Sequence, residues 1–101
     1  MINKNPVKTL VQEVDDYLDM SSVGLYEFMW ILNGDKVEGS KDQHREYALT
    51  ALRSLLEDNR GRLVLLLWPS DEVVAELERD IEPEDFNDPR ADTPYVAITR
   101  D

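Results

Sequence analysis

The sequence predicts an α+β domain in which a core of three helices precedes an antiparallel β-hairpin, with a long helical and acidic insertion between the two strands of the hairpin. Apolar residues recur at helical spacing through the first half of the chain, and two apolar or β-branched runs follow in the second half. Prolines and carboxylates fill the segment between these runs. The 101 residues, of which 42% are hydrophobic, have the length of a single domain, 1–101.

The first two helices are predicted over 6–20 and 23–33. Asn5 is a good N-cap, Pro6 suits the first helical position, and the apolar residues that follow lie on one stripe. The second block is apolar nearly all round and ends at an Asn-Gly pair, which commonly ends a helix. This block is therefore expected at the centre of the core.

The third helix and the two strands are predicted over 41–58, 62–68 and 95–100. Ser40 and Gln43 form a capping box ahead of the third helix, in which each side chain accepts a hydrogen bond from the other residue's backbone N–H. The run 62–68 is continuously apolar and short, as in a strand that is buried on both faces. The last segment is β-branched, so the two strands are expected to pair antiparallel.

The insertion between these strands divides into a predicted helix, 71–80, and a predicted acidic loop, 81–94. Ser70 can cap the helix, and the acidic residues after it suit the positive end of a helix dipole. Three prolines in the loop prevent the helix from continuing. Ten carboxylates and only two arginines lie within 71–92. The insertion is therefore the most negatively charged part of the chain.

The overall charge balance narrows the class of partner. With 22 acidic and 11 basic residues the formal net charge is −11, which repels nucleic acids and anionic membranes and attracts basic surfaces. The absence of cysteine excludes disulfides and thiolate zinc sites and favours a reducing compartment. No stretch resembles a signal peptide or a membrane helix, so we expect a cytoplasmic protein without membrane association.

No residue set in the sequence predicts a reaction, a cofactor or a metal site. His44 is the only histidine and has no cysteine or second histidine to share a metal, so a structural or surface role is expected for it. The carboxylates of 71–92 could serve as calcium ligands, but the prolines and the missing turn glycine favour a solvated acidic loop. No catalytic residue is predicted, and the chain is not expected to be an enzyme.

Two aromatic residues differ from the others in their sequence context. Most aromatics, Trp30 among them, fall on predicted core elements, where packing explains them. Trp68 ends a strand and Phe86 lies within the acidic loop, where an exposed ring surrounded by carboxylates would be a binding hot spot. The predicted partner-binding residues are Glu82, Glu84, Asp85, Phe86, Asp88 and Trp68.

The order of three helices, a strand, an excursion and a final strand resembles a winged-helix domain. The resemblance places 41–58 as the recognition helix and 62–68 with 95–100 as the wing hairpin. It implies DNA binding, yet the basic and acidic residues of this helix and the turn after it nearly balance, whereas duplex DNA requires a positive surplus. In size and charge the chain also resembles short acidic bacterial proteins that neutralise toxins, such as immunity proteins.

These observations favour an acidic interaction module of bacterial type that binds a basic protein, with neutralisation of that partner as one outcome. A winged-helix transcriptional regulator is the alternative, and a small hydrolase or metal protein ranks third. A homodimer is compatible with the sequence.

Overall fold

Three α-helices and a four-stranded antiparallel sheet make up the part of the chain that this computed structural model describes, residues 5–67, 72–90 and 93–100. The architecture is therefore α+β, as predicted. In chain order the elements are α1 (Pro6–Leu18), β1 (Val23–Gly24), α2 (Leu25–Gly34), α3 (Lys41–Glu57), β2 (Arg62–Leu67), β3 (Val73–Glu76), a 3₁₀ helix (Pro83–Phe86) and β4 (Pro94–Thr99).

The helices begin where the sequence predicts caps. Oδ1 of Asn5 accepts a hydrogen bond from the backbone N–H of Val7, 3.0 Å away, at the start of α1. At the start of α3 the Gln43 N–H donates to Oγ of Ser40 over 3.2 Å, and the Ser40 N–H donates to Oε1 of Gln43 over 3.1 Å. The predicted capping box is confirmed, and it satisfies amides that the first helical turn leaves without partners.

The C-terminal ends of α2 and α3 share one motif. Lys36, two residues after α2, has a φ of 56°, and the N–H of Val37 donates to the carbonyl oxygen of Leu32 over 3.1 Å. This bond identifies a Schellman motif, whose left-handed position usually holds glycine or asparagine. After α3, Asn59 takes the same conformation, with φ also 56°. Helix α2 thus continues through the predicted stop at Gly34, and a lysine occupies the left-handed position.

The strand order in the sheet is β1-β4-β2-β3. Strands β2 and β4 pair antiparallel from Arg62 opposite Thr99 to Leu67 opposite Pro94, which confirms the predicted pairing over the described residues. Strand β1 pairs with the other side of β4, with Val23 opposite Ile98. The first two residues of the predicted second helix therefore belong to the sheet.

The predicted helix over 71–80 is wrong, because Val73–Glu76 form strand β3 and pair antiparallel with β2. The apolar spacing at Val73, Val74 and Leu77 fits one face of a helix as well as it fits a bulged strand, so periodicity does not separate the two. Two observations explain the strand. Neighbouring β-branched valines favour extended backbone, and β2 offers backbone groups that β4 does not pair. The predicted acidic loop is also partly ordered, as the 3₁₀ helix.

The main core lies between the helices and one face of the sheet. Leu52 and Leu55 of α3 are fully buried, whereas Leu56 is only partly buried. Alternation along β2 puts Leu63 and Leu65 against this core and Val64 and Leu66 in a second cluster. The second cluster also contains Ala97 and Tyr95 of β4.

The insertion folds back onto the helices. Leu77 and Ile81 pack against the main core, and Nη2 of Arg45 in α3 donates to Oδ1 of Asn87 over 2.9 Å. The segment after β3 therefore lies against α2 and α3, and its acidic residues lie beside these helices, whereas Glu76 is on β3. None of the helices in the described residues is long and apolar enough to cross a bilayer.

Candidate functional site

The structure separates the six predicted partner-binding residues into distinct environments. The side chains of Glu82, Glu84 and Asp88 are exposed, as an electrostatic contact surface requires. Asp85 and Phe86 are engaged within the fold. Trp68 lies outside the described residues.

Phe86 is buried, so the expectation of an exposed aromatic hot spot in the acidic loop is wrong. Only 4% of its surface is accessible, and its ring meets that of Phe28 in α2 edge-on, with centroids 6.4 Å apart. The 3₁₀ helix positions this ring by turning the chain over the helices. Burial of this apolar ring is favourable, and it stabilises the packing of a short, charge-rich segment against the helices.

Asp85 fastens the same segment through a carboxylate. Nη1 and Nη2 of Arg79 donate to its two oxygens over 2.9 and 2.8 Å, and the Glu82 N–H donates to Oδ2 over 2.7 Å. Partial burial acts to raise the pKa of Asp85, but these hydrogen bonds and the charge of Arg79 outweigh it and lower the pKa below 3.8. Asp85 therefore shapes the loop and has few acceptor sites left for a partner.

Trp30 of α2 is exposed, so the expectation from the sequence that packing in the core explains it is wrong. Its side chain is 53% exposed, although its ring is held from two sides. The ring of Tyr26 meets it edge-on with centroids 4.9 Å apart and an interplanar angle of 82°, and the indole Nε1–H donates to Oδ1 of Asp88 over 3.0 Å. Trp30 is thus both accessible and fixed in orientation.

Helical periodicity explains this exposure. The buried positions of α2 are Leu25, Tyr26, Phe28, Met29 and Leu32, which share one face of the helix, and Trp30 follows Tyr26 by one turn at the edge of this face. The sequence contains a signal of this position, because Glu27 and Gly34, three residues before and four residues after Trp30, lie on the outward side of the helix. The continuous apolar composition of the segment concealed it.

The environment of Trp30 is negatively charged. Burial raises the pKa of the neighbouring Tyr26 to about 12, with further contributions from the charges of Glu27, Tyr95 and Asp88. Burial also raises the pKa of Glu27, although a hydrogen bond from the Gly24 N–H, 2.6 Å from Oε2, partly opposes the shift. Carboxylates from two parts of the chain, Glu27 of α2 and Asp88 of the insertion, therefore lie close to the Tyr26–Trp30 pair.

Two surface grooves share Trp30 as a wall. The first lies between α1 and α2, has a volume of about 440 Å³, and is lined by Tyr17, Trp30, Ile31 and the acidic side chains of Glu13, Glu27 and Asp35, among others. The second lies between α2, the start of α3 and the 3₁₀ helix, and has a volume of about 630 Å³. Its charged lining is mixed, because Lys41 and Arg45 accompany Asp88.

His44, the only histidine, has a structural position. Its side chain is buried, and Nε2 lies 2.9 Å from the carbonyl oxygen of Val37 in the connection between α2 and α3. Its ring is also tilted against that of Tyr47. This contact holds the connection against the helix that follows it. Within 5–67, 72–90 and 93–100, no group of three histidine, aspartate or glutamate side chains is arranged to hold a metal ion.

Comparison with known proteins adds no relative to this description. No protein-family model, curated protein or solved structure matches the chain.

Proposed function

We propose that this protein is an acidic interaction module that binds a basic protein, with the Trp30 surface as its contact site. The observation that carries the proposal is an exposed tryptophan, held in place by Tyr26 and Asp88, in a negatively charged surrounding. Tryptophans dominate the energetics of protein interfaces, and a side chain that is already immobile loses little entropy on binding. Neutralisation of a toxic partner, as in immunity proteins, belongs to the same proposal.

Long-range electrostatics support a basic partner. The described part of the insertion, 72–90, carries eight carboxylates and two arginines, and one of these arginines is committed to Asp85. Glu82 and Glu84 are exposed on the 3₁₀ segment, and Asp88 joins that segment to Trp30. Such a distribution accelerates encounter with a positive surface and loses this effect as salt rises.

The alternative, a winged-helix regulator, has one structural observation in its favour. Strand β2 follows α3 directly and forms a hairpin-like pair with β4, as the resemblance implies for a wing. Two cations on or after α3 nevertheless pair with carboxylates: Arg45 with Asp42 at 3.4 Å, and Arg62, at the start of β2, with Glu76 at 2.9 Å. This pairing leaves less positive charge for phosphates, so protein binding is the better-supported function.

The test is to capture partners from an extract of the source organism on the immobilised protein, identify them, and measure the affinity of each purified partner. We expect a partner with a basic isoelectric point whose dissociation constant rises at least tenfold with Trp30→Ala, as for a hot-spot residue. Val74→Ala is the matched control, because Val74 is another exposed large apolar side chain, 52% accessible, on strand β3, and it lines neither groove.

A second pair of variants separates steering from net charge. The double variant Glu82→Lys with Glu84→Lys should slow association. The control, Glu57→Lys with Asp58→Lys, changes the net charge by the same amount and should slow association less. Its substitutions lie at the far end of α3, about 18 Å along the helix axis from Arg45, which contacts the insertion. Partners that are all acidic or neutral would contradict the proposal. If a basic partner binds Trp30→Ala and the parent protein equally, the contact site lies on another surface of the protein.

A further inference from the structure

We infer that the groove between α1 and α2 binds an arginine side chain of the basic partner, with the guanidinium against the indole of Trp30. The inference rests on the proposed function and specifies which chemical group the site recognises. It follows from the composition of the groove, from the fixed orientation of its aromatic wall and from the contrast with the neighbouring groove.

The composition of the groove suits a cation on an apolar stem. Trp30 and Tyr17, which is 46% exposed, supply aromatic surface, and Ile31 supplies aliphatic surface. Glu27 and Asp35 add carboxylates to the same lining. A neutral apolar side chain could not form an ion pair with these carboxylates. A long basic side chain can contact both the apolar wall and the acidic groups.

Arginine fits this arrangement better than lysine. Its guanidinium is planar, stacks on aromatic rings and donates several hydrogen bonds in one plane, so it can contact the indole and a carboxylate together. An ammonium group is more strongly hydrated and has no flat face to stack. A volume of about 440 Å³ also exceeds what one extended side chain needs, which leaves room for the backbone that carries it.

Trp30 is held ready for such a contact. The hydrogen bond to Asp88 fixes one edge of the indole, and the edge-on contact with Tyr26 limits its rotation. The nearby charges of Glu27 and Asp88, which also act on the pKa of Tyr26, make the potential around the pair negative. The cation therefore meets an ordered ring in a favourable field, without a rearrangement of the groove.

The second groove does not share this preference. It has Trp30 as a wall, but Lys41 and Arg45 contribute positive charge beside Asp88. An arginine would be repelled there, so the preference for a cation is assigned to the groove between α1 and α2.

The test is a nuclear magnetic resonance titration of the full chain with N-acetylarginine amide. The indole N–H signal of Trp30 is assigned from its loss in Trp30→Phe. We expect saturable shifts of this signal and of the backbone signals of Glu27 and Asp35. N-acetylnorleucine amide, which has a similar stem without the charge, should produce no comparable shifts.

Two variants and a matched control locate the site. Trp30→Leu should weaken binding about two- to fivefold through loss of the cation–π contact. Asp35→Asn should weaken it about two- to threefold, as for an exposed charge pair. Asp58→Asn is the control, because Asp35 and Asp58 are both exposed residues at the C-caps of helices but only Asp35 lines the groove. The backbone spectrum of each variant shows whether it is folded.

The outcomes separate this inference from the function on which it rests. Equal binding of the norleucine and arginine probes, or equal weakening by Asp35→Asn and Asp58→Asn, would overturn the arginine site. Trp30-dependent binding of a basic protein would leave the proposed function intact in that case. Conversely, if arginine binds in the groove but no basic protein partner is found, the arginine site would be supported and the proposed function would be contradicted.

Discussion

Asp85 shows how a residue chosen for its charge can instead stabilise the segment that contains it. Its carboxylate accepts two hydrogen bonds from Arg79 and one from the Glu82 backbone. At the same time Phe86 buries its ring next to Phe28. Adjacent residues thus anchor the insertion by polar and apolar contacts, while Glu84 remains exposed. The acidic character of a segment does not indicate which of its carboxylates face solvent.

Asp85→Asn should lower the free energy of unfolding by about 1 kcal/mol at neutral pH. Hydrogen bonds to charged groups contribute more than this, but the side chain of Arg79 is 49% exposed and solvent screens the pair. The lowered pKa means that the folded chain binds the proton less tightly than the unfolded chain. The contribution is therefore complete above the unfolded pKa and is lost as pH falls through the folded pKa.

Urea denaturation of the parent and of Asp85→Asn at a series of pH values measures this difference. The two curves should begin to converge near pH 4, the ordinary pKa of an unfolded aspartate, and should meet below the lowered pKa of the folded chain. Glu84→Gln is the control, because Glu84 is adjacent and exposed, and it should change stability by less than about 0.5 kcal/mol. A difference that persists at low pH would show that Asp85 acts through its shape rather than its charge.

At the scale of elements, the C-terminal end of α2 carries a conformational cost that one substitution can remove. Lys36 has φ 56° in the Schellman motif, where a side chain crowds the backbone and glycine does not. Lys36→Gly should therefore raise the free energy of unfolding by about 0.5–1 kcal/mol. Thermal and urea denaturation measure the change. Lys36→Ala is the matched control: it removes the charge but keeps Cβ, and it should bring no such gain.

The elements that the sequence predicts best are those that are specified locally. The capping box of Ser40 and Gln43 precedes a long periodic pattern, and α3 forms where it indicates. The apolar run of β2 is also correctly predicted, because it is too short for a helix and ends at a proline. These signals lie within a few residues of the element they specify.

The errors concern elements that are specified by distant contacts. The local sequence around Val73 and Val74 is compatible with a helix. These residues form a strand because they pair with the side of β2 that β4 does not occupy. In the same way, only the return of the insertion onto α2 buries Phe86, and only the single-sided packing of α2 exposes Trp30. The sequence therefore predicts an acidic segment, but it does not predict that Phe86 is buried and Trp30 is exposed, because the burial of each ring depends on tertiary packing.

At the scale of the whole molecule, the distribution of charge favours the proposed protein partner over DNA. The net charge of −11 opposes approach to phosphates at long range. At short range, residues of the insertion cover part of α3, since Ile81, Glu82, Pro83 and Phe86 line a groove together with Asp42, Arg45, Glu46 and Leu49. These α3 positions lie on one face of the helix. An acidic segment therefore stands beside the helix that a winged-helix regulator would insert into the major groove.

The last prediction is that a randomised pool of DNA duplexes is not retarded in a gel shift at physiological salt and protein concentrations up to about 10 μM. Non-specific binding depends on cations that release counterions from the phosphates, and around α3 Arg45 and Arg62 already pair with carboxylates. Sequencing of any retained duplexes tests specific binding in the same experiment. Enrichment of a common sequence at submicromolar protein, abolished by Lys41→Ala with Arg53→Ala but not by Trp30→Ala, would establish α3 as a recognition helix. It would also replace the interaction module with a DNA-binding regulator, since these two cations lie on α3 whereas Trp30 lies on α2.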